Sequence, residues 1–407
     1  MNQAAPIPEA ASSAEMRRNA LVLSAASSVM GACGAVTFSL GGLAGLYLLG
    51  PDKSLATLPL TGFTIGNAAG AIPAAMLMRA MGRRCGFLAG AAICVVGGLF
   101  AGSAVLAGSF ILLVIGLGIV GFANAFTLQY RFAAADGAGP KFRARAISWV
   151  LAGGVAAAVI GPQTVILTTD LFLPVPFAGG FFALAGLGLA GLVVLSFLSG
   201  AASRPPRAPS RAGGRPLVEI VRQPRFIVAL LCAMGSYSMM NLVMTAAPLA
   251  MVGCGLSEGD AALGIQWHAL AMYAPSFFTG SLIARFGRQT IMAVGFVLLV
   301  ACGLVALAGL GLFNFWAAMI LLGLGWNFSF VGATAMLGET YRQDEKATVE
   351  GLNDFAVLGS VAIASASSGK LFSSVGWGSL VLVIFPVVAV CLLALSSTFF
   401  TGRRRPV

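Results

Sequence analysis

The feature that most constrains this chain is the steady return of apolar runs of about 20 residues or more, parted by short polar or basic turns. A run of that length as a helix crosses the ~30 Å hydrocarbon core of a bilayer. Inside that core every backbone N–H and C=O has to be satisfied within the chain, which leaves helices or closed barrels. The runs are too long for barrel strands, so the sequence predicts an all-α membrane protein. Composition agrees, since 58% of residues are hydrophobic and only 9% are charged. The 53 glycines suit helices that approach closely where lipid gives no hydrophobic drive. The first run, Ala20 to Leu49, far exceeds a signal-peptide core and reads as the first span.

Twelve spans follow in order, six on each side of a break. Residues 1–18 read as an N-terminal tail, 19–199 as a first six-helix bundle and 200–225 as a linker. Residues 226–401 read as a second six-helix bundle, and 402–407 as a C-terminal tail. The linker is rich in Pro, Arg and Gly, as in Ser203-Arg204-Pro205-Pro206-Arg207, and a short interfacial helix is expected near Glu219–Pro224. The net charge of +11 does not imply a nucleic-acid partner, because the basic residues sit at alternate ends of the runs and form no single face. Of the 24 Lys and Arg, all but Lys53 and Lys370 fall on one side of a twelve-span arrangement. The positive-inside rule then places both termini in the cytoplasm, in a bacterial inner membrane. The seven cysteines stand singly inside apolar runs, without zinc spacing or a disulfide framework. No nucleophile–base pair or cofactor loop appears, so neither an enzyme nor a permanently bound cofactor is expected.

The stretch richest in candidate chemistry is Leu231–Tyr273, two apolar runs around the turn Gly255–Asp260. Met240 and Met244 lie four apart on the seventh span, and His268 and Met272 lie four apart on the eighth. An i, i+4 pair shares one helix face. Met240 is expected about 21 Å above the basic edge and His268 about 10 Å below the opposite edge, so the two pairs reach similar depth. Thioether sulfur with imidazole nitrogen suits a soft ion, Cu(I) first, and with no carboxylate or cysteine cluster zinc is disfavoured. Met240, Met244, His268 and Met272 are therefore the candidate metal ligands. Cys232, Met30 and Cys33 are candidate relay residues, the last two able to meet the hairpin across a central cavity. Fifteen methionines in an apolar chain also give such pairs by packing alone.

The halves echo each other. Leu77-Met78-Arg79-Ala80-Met81-Gly82-Arg83-Arg84 parallels Leu282-Ile283-Ala284-Arg285-Phe286-Gly287-Arg288-Gln289, and Gly116-Leu117-Gly118 parallels Gly323-Leu324-Gly325. Duplicated six-span halves mark a rocking transporter. With these motifs the whole chain resembles the major facilitator superfamily, although Arg79 and Ala284 stand where that family usually has an acid. The pairs Met240/Met244 and His268/Met272 are similar to the signature of bacterial copper importers of the CcoA type. That resemblance implies copper uptake for haem–copper cytochrome oxidase assembly, by a monomer in the lipid bilayer that delivers the ion to a cytoplasmic or membrane acceptor. Arg83, Arg84, Arg131, Asp136, Glu350 and Asp354 are the expected gating charges. Asn124, Gln129, Gln163 and Asn327 are expected to line the cavity.

An alternative keeps the fold and changes the cargo. Relatives within the superfamily carry organic molecules, riboflavin among them, and Trp267, Tyr237, Tyr273, Trp326 and Phe328 could stack a flat ring. A membrane metal sensor without flux would share the ligands but would not need two matching halves.

Overall fold

The computed structural model describes residues 13–49, 54–136, 142–198, 214–342 and 345–401, and among them the regular structure is entirely helical. The first bundle comprises α1 (Ser13–Leu48), α2 (Leu58–Met81), α3 (Arg83–Leu106), α4 (Phe110–Thr127), α5 (Tyr130–Asp136), α6 (Arg143–Thr168) and α7 (Ala178–Ser196). A short α8 (Leu217–Val221) precedes the second bundle, close to the interfacial helix expected from sequence. That bundle comprises α9 (Pro224–Gly253), α10 (Glu258–Tyr273), α11 (Ser276–Phe286), α12 (Arg288–Ala308), α13 (Leu312–Leu337), α14 (Lys346–Leu382) and α15 (Ile384–Thr401).

Twelve passes result because three of them are interrupted or joined. Helices α4 and α5 make one pass, as do α10 and α11. Helix α14 continues through a bend at Gly376, whose φ of 76° and ψ of 177° leave the helical region, so it supplies the eleventh pass and, with α15, the twelfth. The first helix begins at Ser13, ahead of the expected Ala20, with Glu15 in its first turn. A carboxylate there faces the positive end of the helix dipole, which lets the helix run out past the apolar stretch.

The duplicated motifs occupy equivalent places. Gly82 (φ 85°, ψ 161°) turns the chain between α2 and α3, and Gly287 (φ 83°, ψ 147°) does the same between α11 and α12. Such dihedrals are open to glycine and little else. The two Gly-Leu-Gly segments each wedge between neighbouring passes. Gly116 abuts Ala101 and Gly118 faces Gly62, while Gly323 abuts the backbone of His268 and Gly325 that of Gly295.

The halves meet at the end of the molecule far from the termini, here called the distal face. Thr57 Oγ1 donates to the Ser365 carbonyl at 3.3 Å and accepts from the Gly369 N–H at 3.0 Å. Thr61 Oγ1 donates to Ser365 Oγ at 3.3 Å, and Gln163 Nε2 donates to Gln266 Oε1 at 3.0 Å. Leu249 packs on Gly42 beside them. Toward the opposite face Arg131 and Asp354 are exposed, one from each half, so the space between the bundles opens on the side of the termini.

Candidate functional site

The eighth pass is broken between α10 and α11, and the site is built around that break. Helix α10 starts with a capping box, Ser257 Oγ accepting from the Asp260 N–H while the Asp260 carboxylate accepts from the Ser257 N–H. The helix stops at Tyr273, and Pro275, which has no N–H to give, separates it from α11. Asn327 on α13 repairs the gap. Its Nδ2 donates to the Met272 carbonyl and to Ser276 Oγ, both at 2.8 Å, and its Oδ1 accepts from Thr279 Oγ1 at 2.6 Å. Asn327 is thus a fully engaged buried residue that holds the break, whereas the sequence placed it on a cavity wall. Discontinuous helices at mid-depth are where transporters of duplicated halves bind their cargo.

Next to the break lies a cluster of rings. Trp326 and Phe330, four apart on α13, stack with centroids 5.0 Å apart and planes 12° apart. Tyr237 from α9 stands edge-on to both, at 5.3 and 5.2 Å. The Trp326 indole Nε1 is buried and makes no hydrogen bond. Sequence reasoning found Tyr237 and Trp326 but missed Phe330, whose i, i+4 spacing from Trp326 was the available signal. Trp267 lies apart, 38% exposed and beside Trp316 near the distal face. Tyr273 packs over Gly154 of the first half.

The structure buries three of the four candidate metal ligands, Met240, Met244 and His268, and half-buries Met272. Gly264 faces Met251 across the hairpin. Counting down both helices from that contact at about 1.5 Å per residue sets Met244 level with Ala271, beside Met272, and Met240 about one turn lower. His268 Nδ1 is 3.1 Å from the Met319 carbonyl on α13. A carbonyl only accepts, so Nδ1 carries the proton and Nε2 keeps its lone pair. That Nε2 is buried with no hydrogen-bond partner. Among the described residues no group of three or more His, Cys, Asp or Glu gathers.

The candidate relay residues point elsewhere. Cys33 Sγ is 3.5 Å from Cys94 Sγ, and the Met30 sulfur faces Gly191, so both turn into the first bundle and not across to the hairpin. Their neighbours on α3 and α7 are distant in sequence, which hid this pairing from a linear reading. Cys232 is fully buried and lies against the Cys391 carbonyl on α15.

The expected gating charges divide. Arg83 is buried and donates to the Phe132 carbonyl at 3.5 Å; Arg84 donates to the Ser196 carbonyl at 2.8 Å. Glu350 accepts from Tyr341 Oη at 2.5 Å and pairs with Lys346 at 3.9 Å, within its own half. The side chain of Asp136 lies outside the described residues. Arg131 stacks on Phe132 and is exposed, as is Asp354 in the other half. Of the expected cavity liners, Asn124 bonds Asn67 at 3.3 Å and Gln163 bridges to the other half. Three ion pairs, among the described residues, escaped notice in the sequence. Arg215 meets Glu345 at 2.8 Å, and Glu339 is held by Arg288 and, at 3.8 Å, Arg225.

The model of the Major Facilitator Superfamily matches residues 25–274 and 229–407. This chain belongs to that superfamily. It is 45% identical over 379 residues to the riboflavin transporter RfnT of Brucella anthropi, covering 93% of this chain and 95% of that one. It is 32% identical over 394 residues to YdeG, an MFS-type transporter of Bacillus subtilis, covering 91% of each. In three dimensions it is similar to a bacterial homologue of the human lysosomal transporter Spinster, solved inward-facing and unoccupied. The TM-score is 0.69 at 17% identity, over 98% of this chain and 100% of that one. For this major facilitator protein the fold expected from sequence is the fold found. The copper-importer subtype gains no support from these relatives, and the organic-cargo alternative does.

Proposed function

We propose that this protein carries riboflavin, or a flat ring compound closely similar to it, into the cell by alternating access, with both termini in the cytoplasm. The observation that carries the reading is the 45% identity, sustained over 93% of the chain, to a riboflavin transporter. The ring cluster supports it. Tyr237, Trp326 and Phe330 offer π faces to an isoalloxazine ring. The amide pairs Asn67–Asn124 and Gln163–Gln266 supply donors and acceptors of the kind a ribityl chain needs. The test is uptake of labelled riboflavin by a riboflavin-requiring bacterium that lacks its own importer. Expression of this protein should restore uptake and growth. Trp326→Ala should cut uptake roughly tenfold or more, the effect of losing about 1.4 kcal/mol of binding. Absence of labelled riboflavin uptake in cells expressing the protein sinks the reading.

A second reading rests on one observation, the unpartnered Nε2 of His268 in a methionine-rich hairpin. A fixed tautomer with a free lone pair suits a cuprous cargo ion, which Met240, Met244 and Met272 would share. Radioactive copper uptake that disappears in both Met240→Ala/Met244→Ala and His268→Ala/Met272→Ala would favour it. Equal uptake in all three proteins removes it.

A further inference from the structure

Two polar atoms beside the broken eighth pass are buried and make no hydrogen bond, the indole Nε1 of Trp326 and the imidazole Nε2 of His268. Buried polar atoms nearly always have partners, so each of these needs a reason. Trp316, by contrast, gives its indole N–H to the Asp260 carbonyl at 3.1 Å. Of the other atoms stranded in this way among the described residues, none lies at the break. Ser39, Thr127 and Tyr130 belong to the first bundle, and Trp377 packs on Phe315. Trp326 and His268 share the seam between α10 and α13. His268 Nδ1 reaches the Met319 carbonyl at 3.1 Å. Four residues further along α10, the Met272 carbonyl accepts from Asn327, the neighbour of Trp326, at 2.8 Å. Gly323 lies between, against the backbone of His268. His268 therefore stands about one helical turn, roughly 6 Å, nearer the distal face than Trp326. The two atoms are also complementary. Trp326 can only donate, whereas His268, with its proton committed to Met319, can only accept at Nε2. An indole N–H lies in the plane of its ring, so it addresses the rim of a cargo ring and not its face.

We propose that this pair reads the pyrimidinedione edge of a flavin and so fixes which end of the cargo ring enters the second half. That edge carries an imide N–H between two carbonyl oxygens. The imide N–H donates to His268 Nε2, and a carbonyl next to it accepts from Trp326 Nε1. A donor and an acceptor on neighbouring positions of one rim, each joined by a hydrogen bond of about 2.9 Å, suit two groups roughly a turn apart. The Met319 carbonyl acts as a positioning group, since it keeps the lone pair on Nε2. Both atoms are covered in the arrangement seen here, and the break between α10 and α11 supplies the give that admits the edge, hinges being found at element ends. A flat hydrocarbon would leave both atoms unpaired and is rejected, because a site built to hydrogen-bond its cargo discriminates against a molecule that cannot. The assignment rests on the riboflavin reading and names the part of the molecule that is recognised. It gives His268 a role in that reading without a metal.

Riboflavin and 3-methylriboflavin, in which a methyl group replaces the imide hydrogen, test this on the full-length protein in lipid nanodiscs through quenching of flavin fluorescence. Wild type should bind the methyl analogue roughly tenfold more weakly, the effect of one lost hydrogen bond. His268→Ala should lose about tenfold for riboflavin and little for the analogue, so that the two bind within about twofold of each other. Trp326→Phe keeps an aromatic ring without a donor, and should weaken both flavins by about tenfold while leaving their ratio intact. A merely structural role for His268 would lower both flavins alike and leave the preference in place. For Trp326, and should His268→Ala not fold, the indole N–H resonances of isotope-labelled wild type decide. The one missing from Trp326→Phe should move downfield when riboflavin is added, while the other indoles stay. Equal binding of the two flavins by wild type, a preference that survives in His268→Ala, or an unmoved Trp326 resonance overturns the proposal. Absence of riboflavin binding and uptake in wild type rejects the flavin reading, and the edge assignment falls with it. Binding without preference rejects the edge assignment alone.

Discussion

Asn327 shows how one side chain can make an irregular backbone tolerable at membrane depth. It bonds the Met272 carbonyl, Ser276 and Thr279, tying α10, α11 and α13 together. Asn327→Ala strands those groups and should destabilise the protein by about 1–3 kcal/mol. Thermal unfolding in detergent would show it as a lower midpoint, and an unchanged midpoint would mean that water takes over the bonds. A second residue-scale prediction concerns Glu345, where the Arg215 guanidinium and backbone N–H groups hold the carboxyl down at about 2 from an ordinary 4.5. A depressed folded-state value means the contribution is full above about 4.5 and is lost as pH falls toward about 2. Wild type should therefore lose melting temperature across that window by more than Glu345→Gln does. Neither network was legible in the sequence. Arg215 and Glu345 are 130 positions apart, and Asn327 meets partners 48 to 55 positions away.

At the scale of the elements, the passes were legible because each is a long apolar run closed by basic residues, a pattern that lipid imposes on every span alike. The break in the eighth pass went unread in the sequence, although Pro275 marks it, and its repair could not be read, since the repairing residue sits on another helix. The ring cluster was half legible. Tyr237 and Trp326 stood out as polar-edged aromatics, whereas Phe330 is one of 28 phenylalanines and gains meaning only by stacking on Trp326. The duplicated turns were legible as sequence echoes, and the structure supplies their reason in the matching dihedrals of Gly82 and Gly287. Gly287→Val should cost about 1–3 kcal/mol, since a branched side chain is strained at a φ of 83°. Gly280→Ala on α11, where an added Cβ meets open space, should stay within about 1 kcal/mol of wild type. Comparing the unfolding midpoints of the two variants checks this, and equal losses would refute the assignment of the cost to backbone strain.

For the whole molecule, the arrangement is that of two halves closed at the distal face and open beside the termini. Thr61 and Ser365 lie across that closed face with their hydroxyls 3.3 Å apart. In a Thr61→Cys/Ser365→Cys protein, oxidation should join the halves, stop uptake by tenfold or more, and release it on reduction. Transport that continues through the cross-link would show that the halves need not part there. The two faces also differ in chemistry. The distal closure uses hydroxyls, amides and apolar contacts, whereas the opposite side carries Arg131, Asp354, Glu350 and Lys346. Dissolved ions screen charges over about 10 Å at 0.1 M but leave neutral hydrogen bonds nearly untouched. One door of this molecule is therefore indifferent to the saltiness and acidity of the water outside it. The other, beside the termini, answers to the ionic strength of the water it meets, so the solution on that one side tunes a motion that the distal side leaves alone.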